Sequence, residues 1–172
     1  MITRDLLYFD VDETFIAECL PGGAFDLRPG VASQLWVLSK MFECYWLTHR
    51  SEQDLAGLWH GIFADSLMKR IKYADWRAYD RSNKAPYVLA HSHDFWWMED
   101  PLSTGRLDAL ETNGLMNRFI AVQPKGMWGF TRACRVLFNR KGIKLSDVEK
   151  FGGKPSWFTE PLGDHFDWTY YE

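Results

Sequence analysis

The sequence predicts an α/β domain organised around a central, mainly parallel sheet of about five strands. Apolar runs of strand length alternate with helical patterns along the chain, the mark of a parallel sheet covered by helices. No Gly/Ser linker, internal repeat or low-complexity tract divides the 172 residues, a length that suits one domain with one substantial core. Three of the apolar runs end in polar residues, at Asp10/Asp12, Thr48 and Glu99/Asp100. Open parallel sheets bind ligands at the carboxyl ends of their strands, beside the switch in strand order, so these three ends are expected to converge on one crevice. The expected layout is a main domain over 1–150, with a short flap at about 15–28, and an aromatic tail over 151–172 packed on the same domain.

The first strand reads Leu6-Leu7-Tyr8-Phe9, a continuous apolar run suited to burial on both faces. It leads into Asp10-Val11-Asp12-Glu13-Thr14. The Gly-Gly-containing excursion from about Phe15 to Arg28 is too short for a domain and suits a hairpin or flap. Pro29 fits the first turn of a helix whose apolar face carries Val31, Leu35, Leu38 and Phe42. Cys44-Tyr45-Trp46-Leu47 is a second strand, stopping at Thr48. Ser51 is the expected N-cap of the next helix, with Asp54 at its third position and Leu55, Leu58 and Ile62 on its face. A third strand is expected around Met68 to Tyr73, then a short helix holding Lys84, Tyr87 and Val88, capped by Ser82 or Asn83. Phe95-Trp96-Trp97-Met98 is a fourth strand running into Glu99-Asp100-Pro101. A helix around Thr104 to Leu110, a fifth strand from Arg118 to Val122 and a helix from about Trp128 to Asn139 complete the pattern, before an irregular aromatic tail.

Composition narrows the function classes. Hydrophobic residues at 47% and charged residues at 25% are ordinary for a soluble globular chain. Nine Trp, seven Tyr and twelve Phe allow a large core and suggest rings left over for a surface or cleft. A net charge of −3, with Lys and Arg spread along the chain, argues against a broad basic platform for nucleic acid, although a small basic groove is compatible with it. Cys19, Cys44 and Cys134 are odd in number and lack a C-x-x-C pattern, so they read as reduced packing residues. The amino terminus has no signal-peptide apolar region and no run approaches membrane-spanning length; a cytoplasmic protein without a membrane partner is expected.

The strand-end residues match the needs of phosphate-ester hydrolysis. A carboxylate nucleophile forms an acyl phosphate and splits one hard displacement into two easier steps. Carboxylate and ester are both anionic, so a divalent cation with a preference for hard oxygen ligands, magnesium above all, is needed between them. A hydroxyl and a cation are wanted on the equatorial oxygens, and a second acid on the leaving oxygen.

Read together, the residues resemble the haloacid dehalogenase-like (HAD) superfamily of phosphohydrolases over nearly the whole chain. Asp10-Val11-Asp12-Glu13-Thr14 is similar to its first motif, D-x-D-x-T, at the end of an apolar strand. Thr48 stands where the second motif has Ser or Thr, Lys84 where the third has a lone Lys, and Glu99-Asp100 where the fourth has paired acids. The resemblance implies a Rossmann-like three-layer sandwich. It also implies Asp10 as nucleophile and metal ligand, and Asp12 as general acid/base lending its carbonyl to the metal. Thr48 and Lys84 would hold the phosphoryl group, and Glu99 and Asp100 would complete a Mg2+ site directly or through water. The second Asp of the motif marks phosphatases in that superfamily, whereas dehalogenases lack it.

Each residue also has a plainer reading. Asp10 and Asp12 would then be solvated turn acids, Thr48 a helix cap, and Lys84 a surface residue with Lys72 as its rival for the third motif. Either Glu99 or Asp100 fits as the direct ligand. Gly163-Asp164-His165-Phe166-Asp167 is similar to another form of the fourth motif, but no apolar strand precedes it, so it reads as tail. His91 and His93 lack the further ligands a zinc site needs and read as loop or strand-edge residues. His49 and Arg50 either touch substrate or are exposed loop charges.

The spacing leaves no room for an inserted cap domain between Asp12 and Thr48 or between Thr48 and Lys84, so an open cleft is expected. Such a cleft suits a macromolecular end or side chain, or a small phosphoester under a lid supplied by a second copy. Leu27-Arg28-Pro29-Gly30-Val31 with the first motif resembles the capless protein phosphatases acting on the RNA polymerase C-terminal domain, but their Asp-Asn fourth motif is absent. The stretches Lys84-Ala85-Pro86-Tyr87-Val88, Trp97-Met98-Glu99-Asp100 and Val122-Gln123-Pro124-Lys125-Gly126 are closer to HAD domains of bacterial RNA-repair-associated proteins. Trp128, Trp157, Phe158, Phe166, Trp168, Tyr170 and Tyr171 suit either base stacking beside the cleft or packing of the tail, and packing is the expectation. The expected activity is thus a magnesium-dependent phosphatase acting on a phosphorylated small molecule or macromolecular end, a nucleotide or nucleic-acid end among them. The alternative is a HAD-fold binding module with weak catalysis, motivated by Glu99 and the crowded aromatics.

Overall fold

A computed structural model describes residues 4–12, 14–19, 25–79, 83–91, 94–100, 104–123 and 128–156. Its centre is a five-stranded sheet of β1 (Leu6–Phe9), β4 (Glu43–Trp46), β5 (Ile71–Tyr73), β6 (Phe95–Glu99) and β7 (Phe119–Ala121). The strand order is β5-β4-β1-β6-β7 and every pairing is parallel. After β1 the chain moves outward through β4 to β5, then crosses back to place β6 on the other side of β1. The reversal of direction therefore falls at β1, and the crevice for a ligand lies over the carboxyl ends of β4, β1 and β6.

The flap is a separate antiparallel hairpin of β2 (Ile16–Cys19) and β3 (Phe25–Leu27). Seven helices surround the sheet among the described residues: α1 (Val31–Met41), α2 (Glu52–Trp59), α3 (Asp65–Met68), α4 (Ala85–His91), α5 (Thr104–Thr112), α6 (Gly129–Lys141) and α7 (Leu145–Glu149). Side chains on a strand alternate between its faces, and the two apolar clusters follow that alternation. Leu7, Phe9, Cys44, Trp46, Trp96 and Met98 face a core shared with Leu35 and Leu38 of α1 and Phe130 and Leu137 of α6. Tyr8, Phe95 and Trp97 face the opposite core, with Tyr87 and Val88 of α4 and Leu110 of α5. The result is the expected three-layer, Rossmann-like α/β sandwich, with no cap domain evident among the described residues.

Some boundaries differ from the sequence reading. Met68 closes the short helix α3, so the third strand begins only at Ile71. Arg118 belongs to a 3-10 turn before β7. His91 is the last residue of α4, stacked on Tyr87 at 4.1 Å between ring centroids, rather than a loop or strand-edge residue. Helix α7 follows α6 near the end of the 1–150 region, where the sequence reading placed no helix. It is only five residues long and buries Val148 alone, too weak a periodic signal to read from sequence. Many of the aromatic rings go into the core: Trp59, Trp76, Trp97, Tyr8, Phe9, Phe15, Phe95, Phe130 and Phe138 are among the largest fully buried side chains. The Gly163–Asp167 segment and the tail rings from Trp157 onward lie outside the described residues, as do His93 and Ser82.

Candidate active site

Four polar groups lie buried at the carboxyl end of the sheet, where the strand order turns. Ladder-type hydrogen bonds run just past the strands and hold their ends in register: Asp10 N–H to the Met98 carbonyl (3.0 Å), Leu47 N–H to the Phe9 carbonyl (2.7 Å) and Val122 N–H to the Glu99 carbonyl (2.8 Å). Asp10 therefore emerges between the ends of β4 and β6.

Asp10 is 6% exposed, Glu99 1% and Lys84 0%. Lys84 Nζ donates to Asp10 Oδ2 at 2.7 Å and to Glu99 Oε1 at 3.0 Å. The other Asp10 oxygen, Oδ1, accepts the Val11 N–H at 2.7 Å, and Glu99 Oε2 accepts the Trp97 indole N–H at 2.9 Å. The meeting follows from strand periodicity. Glu99 shares a strand face with Trp97 two residues earlier, Asp10 shares one with Tyr8, and α4 covers that face of the sheet. Lys84 sits one residue before α4 rather than within it, because the Asn83 side chain accepts the Ala85 N–H (2.9 Å) and starts the helix there. That position directs the lysine along the sheet's carboxyl edge. Lys72, its rival, is on β5 and pairs with Glu43 at 2.5 Å on the surface.

Asp100 joins the group: one carboxylate oxygen from each of Asp10, Glu99 and Asp100 lies within 4.8 Å of the others. Three carboxylates are thus set against one buried ammonium within this cluster. The donors are hard oxygens, concentrated around Lys84. Such a set fits a divalent cation of the magnesium type, which prefers carboxylate oxygen and water.

Thr48 is fully buried at the end of β4, one strand over from Asp10. Its hydroxyl accepts the Arg50 N–H at 3.3 Å. Asp12 lies in the turn beyond β1, with its side chain 43% exposed. Arg50 grips it with a fork: Nε donates to both carboxylate oxygens at 3.1 Å and Nη2 to Oδ1 at 2.5 Å. Arg50 is therefore an ion-pair partner of a predicted site residue rather than a stray loop charge. His49 packs edge-on against Trp76, with ring centroids 4.8 Å apart.

Two partners escaped the sequence reading. The Trp97 bond to Glu99 had a signal, since residues two apart on a strand share a face. The Arg50 grip on Asp12 spans 38 positions and had none beyond proximity to Thr48.

No known family profile matches the chain, and no curated protein sequence matches it. Among solved structures, Fcp1, an essential RNA polymerase II CTD phosphatase, is similar at a TM-score of 0.45 and 17% identity, over 94% of this chain and 58% of that one. A variant of the fission yeast RNA polymerase II CTD phosphatase Fcp1 bound to beryllium fluoride is similar at a TM-score of 0.42 and 17% identity, over 94% and 59%. The chain thus spans less than two thirds of the length of either structure.

Proposed function

We propose that the chain is a magnesium-dependent phosphatase of the HAD type that hydrolyses phosphate monoesters through an aspartyl-phosphate on Asp10. The observation that carries this reading is the buried Lys84 joining Asp10 to Glu99 within a three-carboxylate group, at the point where the sheet's strand order turns. Burying several carboxylates together is costly even when they are paired, and a nucleophile and cation site needs this concentration of charge.

In the proposed reaction, an Asp10 carboxylate oxygen bonds to phosphorus as the ester P–O bond breaks, and Asp12 gives its proton to the leaving oxygen. Water then attacks the same phosphorus, Asp12 takes its proton, and the bond to Asp10 breaks to release phosphate. Thr48 donates its hydroxyl to the phosphoryl oxygens, and Lys84 neutralises charge beside them. Magnesium, when bound, supplies the screening between nucleophile and phosphoryl oxygens. Asp10, the Asp12 carbonyl and the fourth-motif acids would hold it. Either Glu99 or Asp100 would fit as the direct ligand among these acids.

An open cleft without a cap favours a phosphate at the end or on the side of a macromolecule. The test is hydrolysis of an aryl phosphate with magnesium. Asp10→Asn is expected to abolish turnover, Asp12→Asn to leave a trace, and beryllium fluoride to form a trifluoroberyllate adduct on Asp10 of the unmodified chain. Magnesium-dependent turnover persisting in Asp10→Asn refutes the nucleophile. Absence of both turnover and adduct, with metal still bound, favours the binding-module reading instead.

A further inference from the structure

The turn after β4 is held from one side by three side chains. Trp76 Nε1 donates to the carbonyl of Thr48 at 2.7 Å, Arg77 Nη2 to that of His49, and Tyr73 Oη to that of Arg50 at 2.8 Å. Three donors from one short segment thus take three consecutive backbone carbonyls. The segment itself is anchored. Ala74 N–H bonds the Trp46 carbonyl at 2.9 Å, Trp76 is 0% exposed, and the Arg77 guanidinium lies over the Trp76 ring, 5.8 Å from its centroid.

The sheet order gives the clamp a direction. Strand β4 lies between β5 and β1, and residues 73–77 leave the end of β5. The carbonyls of 48–50 are therefore drawn towards the β5 side. The N–H groups of 49–51 belong to the same peptide planes. Two of them are used to tighten the turn, Arg50 N–H on Thr48 Oγ1 at 3.3 Å and Ser51 N–H on Asp54 Oδ2 at 3.2 Å. The Thr48 hydroxyl and the Arg50 side chain that pairs with Asp12 both belong to this turn.

We propose that Tyr73, Trp76 and Arg77 are positioning residues, a clamp that aims the Thr48–Arg50 turn at the transferring phosphoryl group and at Asp12. This rests on the phosphatase reading. The hydrogen bonds of all three go to the backbone of the turn, and they act through its peptide planes. Fixing a reacting geometry in advance is a large part of catalysis, and small displacements of such a turn are costly.

Tyr73→Phe deletes only a hydroxyl, and Trp76→Phe deletes the indole N–H within a buried ring. Each is expected to lower kcat on an aryl phosphate by about 3- to 10-fold, the value of one hydrogen bond, while KM changes by less than about twofold. In a Thr48→Ala background the Tyr73→Phe effect is expected to shrink below about twofold, because the two changes act on one turn. Amide hydrogen exchange of residues 49–51, followed without magnesium or substrate, is expected to quicken in both variants. Unaltered exchange together with unaltered kcat in Tyr73→Phe overturns the clamp, as does a kcat loss that multiplies undiminished onto Thr48→Ala. If Trp76→Phe does not fold, Tyr73→Phe alone decides. A wild-type chain with neither turnover nor inorganic-phosphate binding sinks the phosphatase reading and the clamp with it. An active wild type with indistinguishable variants sinks the clamp alone.

Discussion

Lys84→Met tests the charge balance of the site directly. The lysine is fully buried and lies 2.7 Å from Asp10 and 3.0 Å from Glu99, while Asp100 brings a third carboxylate within 4.8 Å. Two like charges at that separation repel by about 3 kcal/mol at an effective dielectric of about 20, and salt screens a buried pair little. Methionine keeps the length of the side chain and removes the ammonium. Leaving buried carboxylates without their cation costs about 3–5 kcal/mol, even after partial protonation limits the loss. For a domain of this size each kcal/mol moves Tm by about 2–4 °C, so the variant is expected to unfold about 6–20 °C below wild type in EDTA. Magnesium at about one hundred times its Kd stabilises a folded protein by about 2.7 kcal/mol. The variant, with one ammonium fewer beside the carboxylates, is expected to gain more than this, so the gap in Tm narrows when EDTA is replaced by magnesium. Thermal unfolding followed by circular dichroism in both buffers reads the result. Equal Tm values in EDTA refute the role of Lys84 as internal counter-charge, and Tm values that rise in neither protein when magnesium replaces EDTA refute the cluster as a cation site.

Trp97→Phe removes the N–H that orients Glu99 Oε2, and magnesium affinity measured by calorimetry is expected to fall about tenfold with little change in fold. Gly129→Ala is expected to cost about 1–3 kcal/mol in urea unfolding, because a Cβ there would stand 2.5 Å from the Gln123 carbonyl and 2.7 Å from Arg28 Nη1. The backbone oxygen cannot step aside as a flexible side-chain end could. Burial pushes the thiols of Cys44 and Cys134 far above their ordinary range, so iodoacetamide at pH 8 is expected to spare both in the native protein and modify both after denaturation, read by mass spectrometry.

Much of the fold was legible because strands and caps announce themselves locally. Phe95–Met98 is buried at every position and reads as an unbroken apolar run. Ser51 and Asp54 form the reciprocal cap that their spacing suggests. Lys84 was legible as a candidate through the resemblance, as the lone lysine at the start of a short helix ahead of an acidic strand end. Its burial was not legible, since nothing in a lysine's neighbours along the chain separates a surface ammonium from one enclosed by carboxylates 15 and 74 positions away. Arg50 illustrates the same limit: two plain readings of a loop cation were available, and a partner 38 positions distant settled its place.

Sequence alone determined the alternation of strands and helices, the order of the polar strand ends and the residue types at each. Those follow from local periodicity, capping and the chemistry of individual side chains. Tertiary structure alone decided that β6 returns to lie beside β1, that Lys84 joins Asp10 to Glu99, and that Trp97, Arg50 and the 73–77 segment orient the groups around them. The physical reason is that hydrogen bonds and charge compensation at the site act across strands, where neighbours are chosen by sheet order and register rather than by distance along the chain.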